Sequence, residues 1–165
     1  MKIKLVILLL TSFQFINSQN RKEINTNGYQ IFYSDNLRLD ETGRDGSDFY
    51  LFTQKESVED NFAENLNLII QNLVTLNIDL NKFVELTENQ FRERGKLIES
   101  RRSKTNGNEF HILIYESTIN GMELKFLQYD FVKNNKAYFL TYSANKDDFE
   151  KYLFEMEVVM KSFKI

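Results

Sequence analysis

The sequence predicts one α+β domain in which two helices pack on a mostly antiparallel sheet. Three apolar strands follow one another between Glu109 and Ala144. They are separated by Asn-Gly and Asn-Asn dipeptides, which adopt the positive φ angles of type I′ turns, so the three strands should form an antiparallel meander. Two further stretches, after Asp79 and after Ala144, have apolar residues every three or four positions, as amphipathic helices do. Strands and helices that each bury one face build a layered α+β domain.

The length and composition are those of a single globular domain. The 165 residues are 42% hydrophobic and 27% charged, which supplies a core and is too apolar for a disordered chain. The absence of cysteine excludes disulfide frameworks, thiol nucleophiles and thiolate metal sites. It also excludes a lipid anchor on an N-terminal cysteine.

The first 18 residues match a secretory signal peptide. Lys2 and Lys4 supply positive charge, residues 5–10 are all apolar, and Ser18 is a small residue at the expected cleavage point. The apolar run is shorter than the roughly 20 residues that span a bilayer. We therefore expect residues 1–18 to be removed and the protein to be periplasmic or secreted, with no stable membrane anchor. The alternative is an apolar N-terminal helix that packs on the domain.

The mature chain would carry a negative net charge. Removing Lys2 and Lys4 from the 21 basic residues leaves 19, against 24 acidic residues. Nucleic acid and anionic membrane surfaces are therefore not expected partners. Residues 19–27 are polar, and we expect them to form a flexible N-terminal segment. The folded domain is predicted to extend over 28–165.

Three strands are predicted before the first helix. Apolar and polar residues alternate over 29–33, which indicates a strand, and the glycine-containing run 40–47 indicates a loop. The second strand is predicted at 49–53, with apolar residues on both faces. A turn over 60–67 should lead into a third strand at 68–73, which is rich in leucine and isoleucine.

The helix boundaries and one sheet edge have signals of their own. Asp79 is a suitable N-cap for the first helix, and Gly95 stands where a left-handed C′ glycine is expected. The charged run 96–105 is typical of an edge strand. Asn145 is predicted to cap the second helix. The buried stripe of that helix should contain Phe149, Tyr152, Leu153, Met156, Val159, Met160 and Phe163.

Five separated motifs give the chain a resemblance to a known family. They are Tyr29-x-Ile31-x-Tyr33, Asp60-x-Phe62-x-Glu64-Asn65-x-Asn67, Asn120-Gly121-Met122-x-Leu124-Lys125-Phe126-x-Gln128-Tyr129, Ala137-Tyr138-x-Leu140-Thr141-Tyr142 and Ser162-Phe163-Lys164. In this order they resemble the PsbP-like family, whose fold PsbP, Mog and DcrB share, and in particular its small exported bacterial members.

The resemblance implies an α/β/α sandwich with a central, mostly antiparallel sheet. It implies little chemistry, because members of the family bind proteins or support a metal centre from outside. The chain lacks the lipid-modified cysteine of the DcrB type, and it carries nothing that marks a photosystem subunit. Neither of those specific roles is therefore carried over.

One candidate binding site lies in the second of these motifs. Asp60, Glu64, Asn65 and Asn67 offer oxygen atoms that suit a hard divalent cation such as Ca²⁺ or Mg²⁺, although their spacing is not that of an EF-hand. The alternative is structural, since Asp and Asn commonly satisfy the backbone groups of turns and loops.

The sequence contains no catalytic constellation. His111 is the only histidine, on a predicted strand opposite the face of Phe110 and Ile112, and we expect it to be a hydrogen-bonded strand residue. The sequence therefore predicts a protein that is not an enzyme and needs no cofactor. We expect a monomeric protein-binding or assembly module, the alternative being a small-ligand or divalent-metal-binding protein that uses Asp60, Glu64 and nearby tyrosine hydroxyls.

Overall fold

The structure is a computed structural model that describes residues 21–26, 28–58, 60–76, 78–105 and 107–165. The predicted signal peptide, residues 1–18, lies outside the described residues. So do Gln19, Asn20 and Asn27 of the expected N-terminal segment.

The described residues form nine strands and two α-helices, in the order strands, helix, strands, helix. The strands are β1 (Arg21–Asn25), β2 (Gln30–Ser34), β3 (Arg38–Asp40), β4 (Phe49–Phe52), β5 (Asn65–Asn72), β6 (Lys96–Thr105), β7 (Asn108–Ile119), β8 (Met122–Lys133) and β9 (Lys136–Asn145). The helices are α1 (Leu80–Arg94) and α2 (Phe149–Lys161), and a single 3₁₀ turn covers Arg44–Gly46.

Seven strands form one antiparallel sheet in the order β3-β4-β5-β9-β8-β7-β6, and β1 pairs with β2 in a separate hairpin. One face of the large sheet packs on α2 and the β1–β2 hairpin, and is called the α2 face here. The other face packs on α1 and is called the α1 face. The predicted α+β sandwich is confirmed, and the edge position of β6 is confirmed with it.

The meander is joined by the turns that its dipeptides predict. Asn120 and Gly121 have φ angles of 51° and 81°, and Asn134 and Asn135 have φ angles of 52° and 57°. Both central residues of each turn are thus in the left-handed region, as type I′ geometry requires.

The segment expected to be flexible is ordered over Arg21–Asn25, and that prediction is wrong for these residues. They form β1, which pairs antiparallel with β2, and Ile24 is buried against the core of the α2 face. The segment has only one apolar residue, so its sequence shows no alternation. Its ordering comes from its pairing partner rather than from its own pattern.

Several predicted boundaries shift in the structure. β5 begins at Asn65, so the predicted turn over 60–67 ends earlier than expected. The strand β3 falls where no strand is predicted. Asn145 is the last residue of β9 rather than a helix cap, and α2 begins after Asp148, whose side chain makes no capping hydrogen bond. The N-cap of α1 is confirmed, since Asp79 Oδ1 accepts from Lys82 N at 2.8 Å.

Gly95 follows α1 as predicted, but for a different reason. Its φ of −170° and ψ of −156° are extended rather than left-handed. A Cβ atom at this position would lie 2.4 Å from the carbonyl oxygen of Glu116 in β7. The glycine is therefore required by the close approach of the chain to β7 rather than by a turn.

The α2 face holds the largest core of the molecule. Alternation in β8 sends Leu127, Tyr129 and Phe131 to this face, where they meet Met160 and Phe163. Phe163 lies against three aromatic rings, those of Tyr29, Phe131 and Tyr138.

Candidate functional site

Asp60 stabilises its own loop. Its carboxylate accepts hydrogen bonds from the backbone N–H of Phe62 at 3.0 Å and of Glu56 at 3.1 Å. These two bonds, the one from Phe62 first, lower the pKa of Asp60. The carboxylate thus serves the loop backbone, as the structural alternative expects.

The other three predicted residues do not all lie on one side of the sheet. Glu64 is buried beside Thr53, and burial raises its pKa. Asn65 and Asn67 belong to β5, where the Nδ2 of Asn67 donates to Ser47 Oγ at 2.8 Å. Because consecutive side chains in an extended chain point to opposite faces, Glu64 is separated from both asparagines by the sheet. In the described part of the chain, no three His, Asp or Glu side chains come together as a cation site.

The structure instead assembles a buried polar cluster between α1 and the sheet. Alternation in β8 sends Gln128 and Asp130 to the α1 face. Asp130 is fully buried, with 0% of its surface exposed, and its Oδ1 accepts from Gln128 Nε2 at 2.7 Å. Gln128 Oε1 in turn accepts from Thr141 Oγ1 at 3.2 Å and from the Tyr115 hydroxyl at 3.3 Å. Three hydrogen bonds therefore fix the orientation of the Gln128 amide.

His111 continues the cluster on β7, and its expected place on a strand as a hydrogen-bonded residue is confirmed. Its Nε2 lies 2.6 Å from Ser100 Oγ, and Ser100 donates a short hydrogen bond to Glu88 of α1. An ionised carboxylate can only accept, so the hydroxyl hydrogen belongs to that bond and His111 Nε2 must be the donor to Ser100. In this arrangement the imidazole does not accept a proton from Ser100.

Two buried polar atoms in the cluster have no hydrogen-bond partner among the described residues. They are Nδ1 of His111 and Oδ2 of Asp130. The two residues are directly opposite each other in the register of β7 and β8, so their side chains leave the sheet side by side on the α1 face. A buried polar group without a partner lowers the stability of the folded state, so two neighbouring ones mark a locally destabilised site.

Burial shifts the pKa values of both residues toward their neutral forms. It raises the pKa of Asp130 to about 7, with the hydrogen bond from Gln128 opposing the rise. It lowers the pKa of His111, and the nearby charge of Arg102 lowers it further while Glu88 opposes that shift. The cluster therefore favours a neutral carboxylic acid beside a neutral imidazole over a pH interval that ends near neutrality.

Two surface grooves lie on opposite faces of the sheet. The groove beside α2 has a volume of about 260 Å³ and is lined mainly by apolar groups, including Phe32 and Val159. The groove beside α1 has a volume of about 330 Å³, and Gln128 of the polar cluster lines it. Its other lining residues are Gln71, Leu73, Leu76, Ile78, Phe83, Leu86, Thr87, Gln90, Phe91 and Phe139.

The sequence contains a signal for this cluster. Gln128 and Asp130 stand at alternate positions of a strand whose other central residues are apolar. In a sheet covered on both faces, such polar residues have to be buried and to find partners. The partner atoms come from four other elements, and no sequence pattern indicates which ones.

Solved structures resemble this chain at low sequence identity, and three of them are compared with it. The PsbP protein (CyanoP) of Synechocystis aligns with a TM-score of 0.61 and 16% identity, over 94% of this chain and 98% of its own. LpqN of Mycobacterium tuberculosis, a protein involved in cell envelope biogenesis, aligns with a TM-score of 0.65 and 13% identity, over 87% of this chain and 89% of its own. PA94 of Pseudomonas aeruginosa, a putative regulator of unknown function, aligns with a TM-score of 0.61 and 8% identity, over 86% of this chain and 94% of its own.

At these identities the likeness establishes the fold alone. The chain has the PsbP-like fold, as its motifs predict. No family model matches the sequence, and no curated protein matches it either. Within the described ranges, neither helix is long and apolar enough to cross a bilayer.

Proposed function

We propose that this chain with the PsbP-like fold is an exported, non-enzymatic binding module that engages a protein through the groove beside α2. The observation that carries the proposal is the exposure of Phe154, which leaves 80% of its surface in water at the edge of that groove. An exposed aromatic residue beside an apolar depression is typical of an interaction site.

Apolar side chains other than Phe154 also line the groove. Val158, one helical turn further along α2, is also exposed, and half-buried Phe32 of β2 lines the same groove. Contact with a partner would remove these three side chains from water, and each would contribute in proportion to the apolar area buried.

The charges at the rim of the groove indicate the chemistry of the partner. Glu155 accepts a hydrogen bond from Asn36 Nδ2 at 3.0 Å and is thus engaged within the chain. Arg21 lines the groove, and among the described residues no carboxylate forms an ion pair with it. The occupant we propose is a protein segment with an apolar anchor residue next to a carboxylate that reaches Arg21.

Site-specific photo-cross-linking in cells that export the protein tests the proposal. A photoreactive phenylalanine analogue in place of Phe154 should form an adduct with another polypeptide. The same analogue in place of Val58, which is fully exposed on a loop and does not line the groove, should form none. No adduct at position 154, or equal adducts at both positions, would overturn the proposal. An adduct of twice the chain mass would show a second copy in the groove and contradict the expected monomer.

A second candidate function is the binding of an uncharged small molecule in the groove beside α1. The observation that favours it is Gln128, whose amide is held in place by three hydrogen bonds and has a further N–H beyond the one that it gives to Asp130. The polar residues that line this groove are glutamines and a threonine, so it suits an apolar molecule with a hydrogen-bond acceptor.

Fluorescence titration with Nile red, an uncharged apolar dye with a carbonyl group, distinguishes the two grooves. Leu86→Glu, at a half-exposed position lining the groove beside α1, should weaken dye binding about tenfold because it introduces a charge at an apolar wall. Phe154→Glu on the other face serves as the matched control and should leave binding unchanged. Loss of binding in Phe154→Glu alone would assign the dye to the groove beside α2 and remove this second candidate.

A further inference from the structure

We propose that α1 is a pH-sensitive cover of the sheet, held in place while His111 and Asp130 are both neutral and loosened when Asp130 ionises. The proposal concerns the face opposite the α2 groove and does not rest on the function proposed for that groove. It begins from the placement of the two residues side by side under α1, each with one buried atom that lacks a partner among the described residues.

A neutral Asp130 fits its surroundings and an ionised one does not. A protonated carboxyl group carries no charge, so its burial costs far less than that of a carboxylate. His111 Nδ1, the other buried atom without a partner among the described residues, adds no charge either when only Nε2 carries a ring hydrogen. Once ionised, the carboxylate has a single donor among the described residues, Gln128 Nε2, and it does not reach water because it is fully buried. A buried carboxylate with one hydrogen bond is strongly destabilised relative to one in water.

The other charged groups around the pair do not compensate for that charge. From α1, Glu88 faces His111 with its Oε1 3.8 Å from Nε2 and is itself paired with Arg92 at 3.1 Å. From β6, Arg102 acts on His111, and its guanidinium donates to Asn81. The remaining described groups that hydrogen-bond within the cluster are uncharged: Thr141 of β9, Ser100 of β6, Gln128 of β8 and Tyr115 of β7. Burial raises the pKa of Tyr115.

Movement of α1 is the least costly way to let water reach an ionised Asp130. The sheet and α2 share the large aromatic core on the opposite face, which does not include Asp130. In contrast, α1 buries few apolar side chains of its own, chiefly Phe83 and Val84, and elements with few buried apolar contacts open at the lowest free energy. The result would be a helix that loosens on the alkaline side of about pH 7, where Asp130 loses its proton.

Hydrogen exchange followed by mass spectrometry on the folded chain tests this inference. Protection of α1 amides, corrected for intrinsic exchange rates, should fall about tenfold between pH 6 and pH 8.5 and should stay below the protection of α2 amides at both pH values. In Asp130→Asn, a neutral substitute of the same shape, α1 protection should be independent of pH. Asp148→Asn, beside the start of α2, is the matched control and should behave like wild type.

Several results would overturn the inference. Equal α1 protection at both pH values, or an equal fall in Asp130→Asn, would exclude Asp130 as the trigger. Equal protection of α1 and α2 amides at both pH values would show global opening instead of a local cover. If Asp130→Asn does not fold, the wild-type contrast between α1 and α2 still decides, together with the ¹⁵N shifts of His111. An imidazolium signal at pH 8.5 would show that the Asp130 proton had moved to His111 rather than to water.

Discussion

The two faces of the central sheet differ in what they bury. The α2 face buries apolar and aromatic side chains, and Phe163 alone contacts three rings. The α1 face buries Gln128, Asp130 and His111 together with two smaller apolar clusters. Apolar burial is favourable whatever the detailed geometry, whereas a buried polar group stabilises only when its partners are in place. One face therefore holds the fold, and the other is the face whose packing can respond to conditions.

The largest expected effect on stability is seen when one phenylalanine from each face of the sheet is replaced by alanine. Phe163→Ala should lower the free energy of unfolding by about 3–5 kcal/mol, because it opens a cavity in a fully buried aromatic cluster. Phe91→Ala on α1 removes the same atoms from a half-buried ring stacked on Tyr115 and should cost about 1–2 kcal/mol. Urea denaturation followed by circular dichroism measures both. Equal losses would remove the distinction between the faces.

The second-largest expected effect is a pH-dependent change in stability caused by the buried carboxyl group of Asp130. The folded chain binds the Asp130 proton more tightly than the unfolded chain does, because burial raises the pKa of this group to about 7. Its contribution to stability is therefore fully present below about pH 4 and is lost as the pH rises to about 7. The loss is on the order of 4 kcal/mol for a shift of this size.

Denaturation of wild type and Asp130→Asn across this pH range measures that loss. Other groups titrate in the same interval, including His111 with its lowered pKa, so the difference between the two proteins is the informative quantity. Asp130→Asn should match wild type at pH 4 and exceed it in stability at pH 8. Two parallel pH profiles would mean that Asp130 titrates normally.

A smaller effect on stability is expected at Gly95, where the chain passes close to the sheet just after the C-terminal end of α1. Gly95→Ala places a Cβ atom against the Glu116 carbonyl oxygen, so the backbone must shift, and we expect a cost of about 1–3 kcal/mol. Gly121→Ala is the matched control, because its Cβ would meet nothing within 4 Å and only the positive φ of 81° opposes it. We expect about 1 kcal/mol there. Thermal denaturation ranks the two, and a reversed order would argue against the tight approach at Gly95.

The smallest effect concerns the N-termini of the two helices. Asp79→Ala removes the carboxylate that accepts from Lys82 N and should cost about 1 kcal/mol. Asp148→Ala should be close to neutral, since the Asp148 side chain makes no capping bond and α2 depends on its buried face. Comparable losses in chemical denaturation would show that α2 relies on its cap as much as α1 does.

Local patterns in the sequence were sufficient to predict the meander and the sandwich. Asn120-Gly121 and Asn134-Asn135 specify their turns through backbone preference alone, and the apolar stripe of α2 specifies its buried face. Asp79 likewise predicts the start of α1, because capping depends on residues that are close in sequence.

The features that the sequence did not reveal depend on contacts between distant segments. β1 is ordered through its pairing with β2. Gly95 is required because the carbonyl group of Glu116, 21 positions further along the chain, leaves no room for a Cβ atom. The predicted site combined Glu64 with Asn65 and Asn67 because they are close in sequence, but alternation along an extended chain places Glu64 on the opposite face of the sheet from both asparagines. The cluster around Asp130 draws on five elements, so only the strand register brings it together.

Native-state hydrogen exchange in increasing denaturant, at pH 7.5, tests the distinction between the two faces most directly. The amides of α1 should exchange through a local opening at a free energy below that of global unfolding. The amides of α2 and β8 should exchange only when the whole domain unfolds. A single opening free energy shared by α1, α2 and β8 would contradict the view that α1 is the adjustable layer.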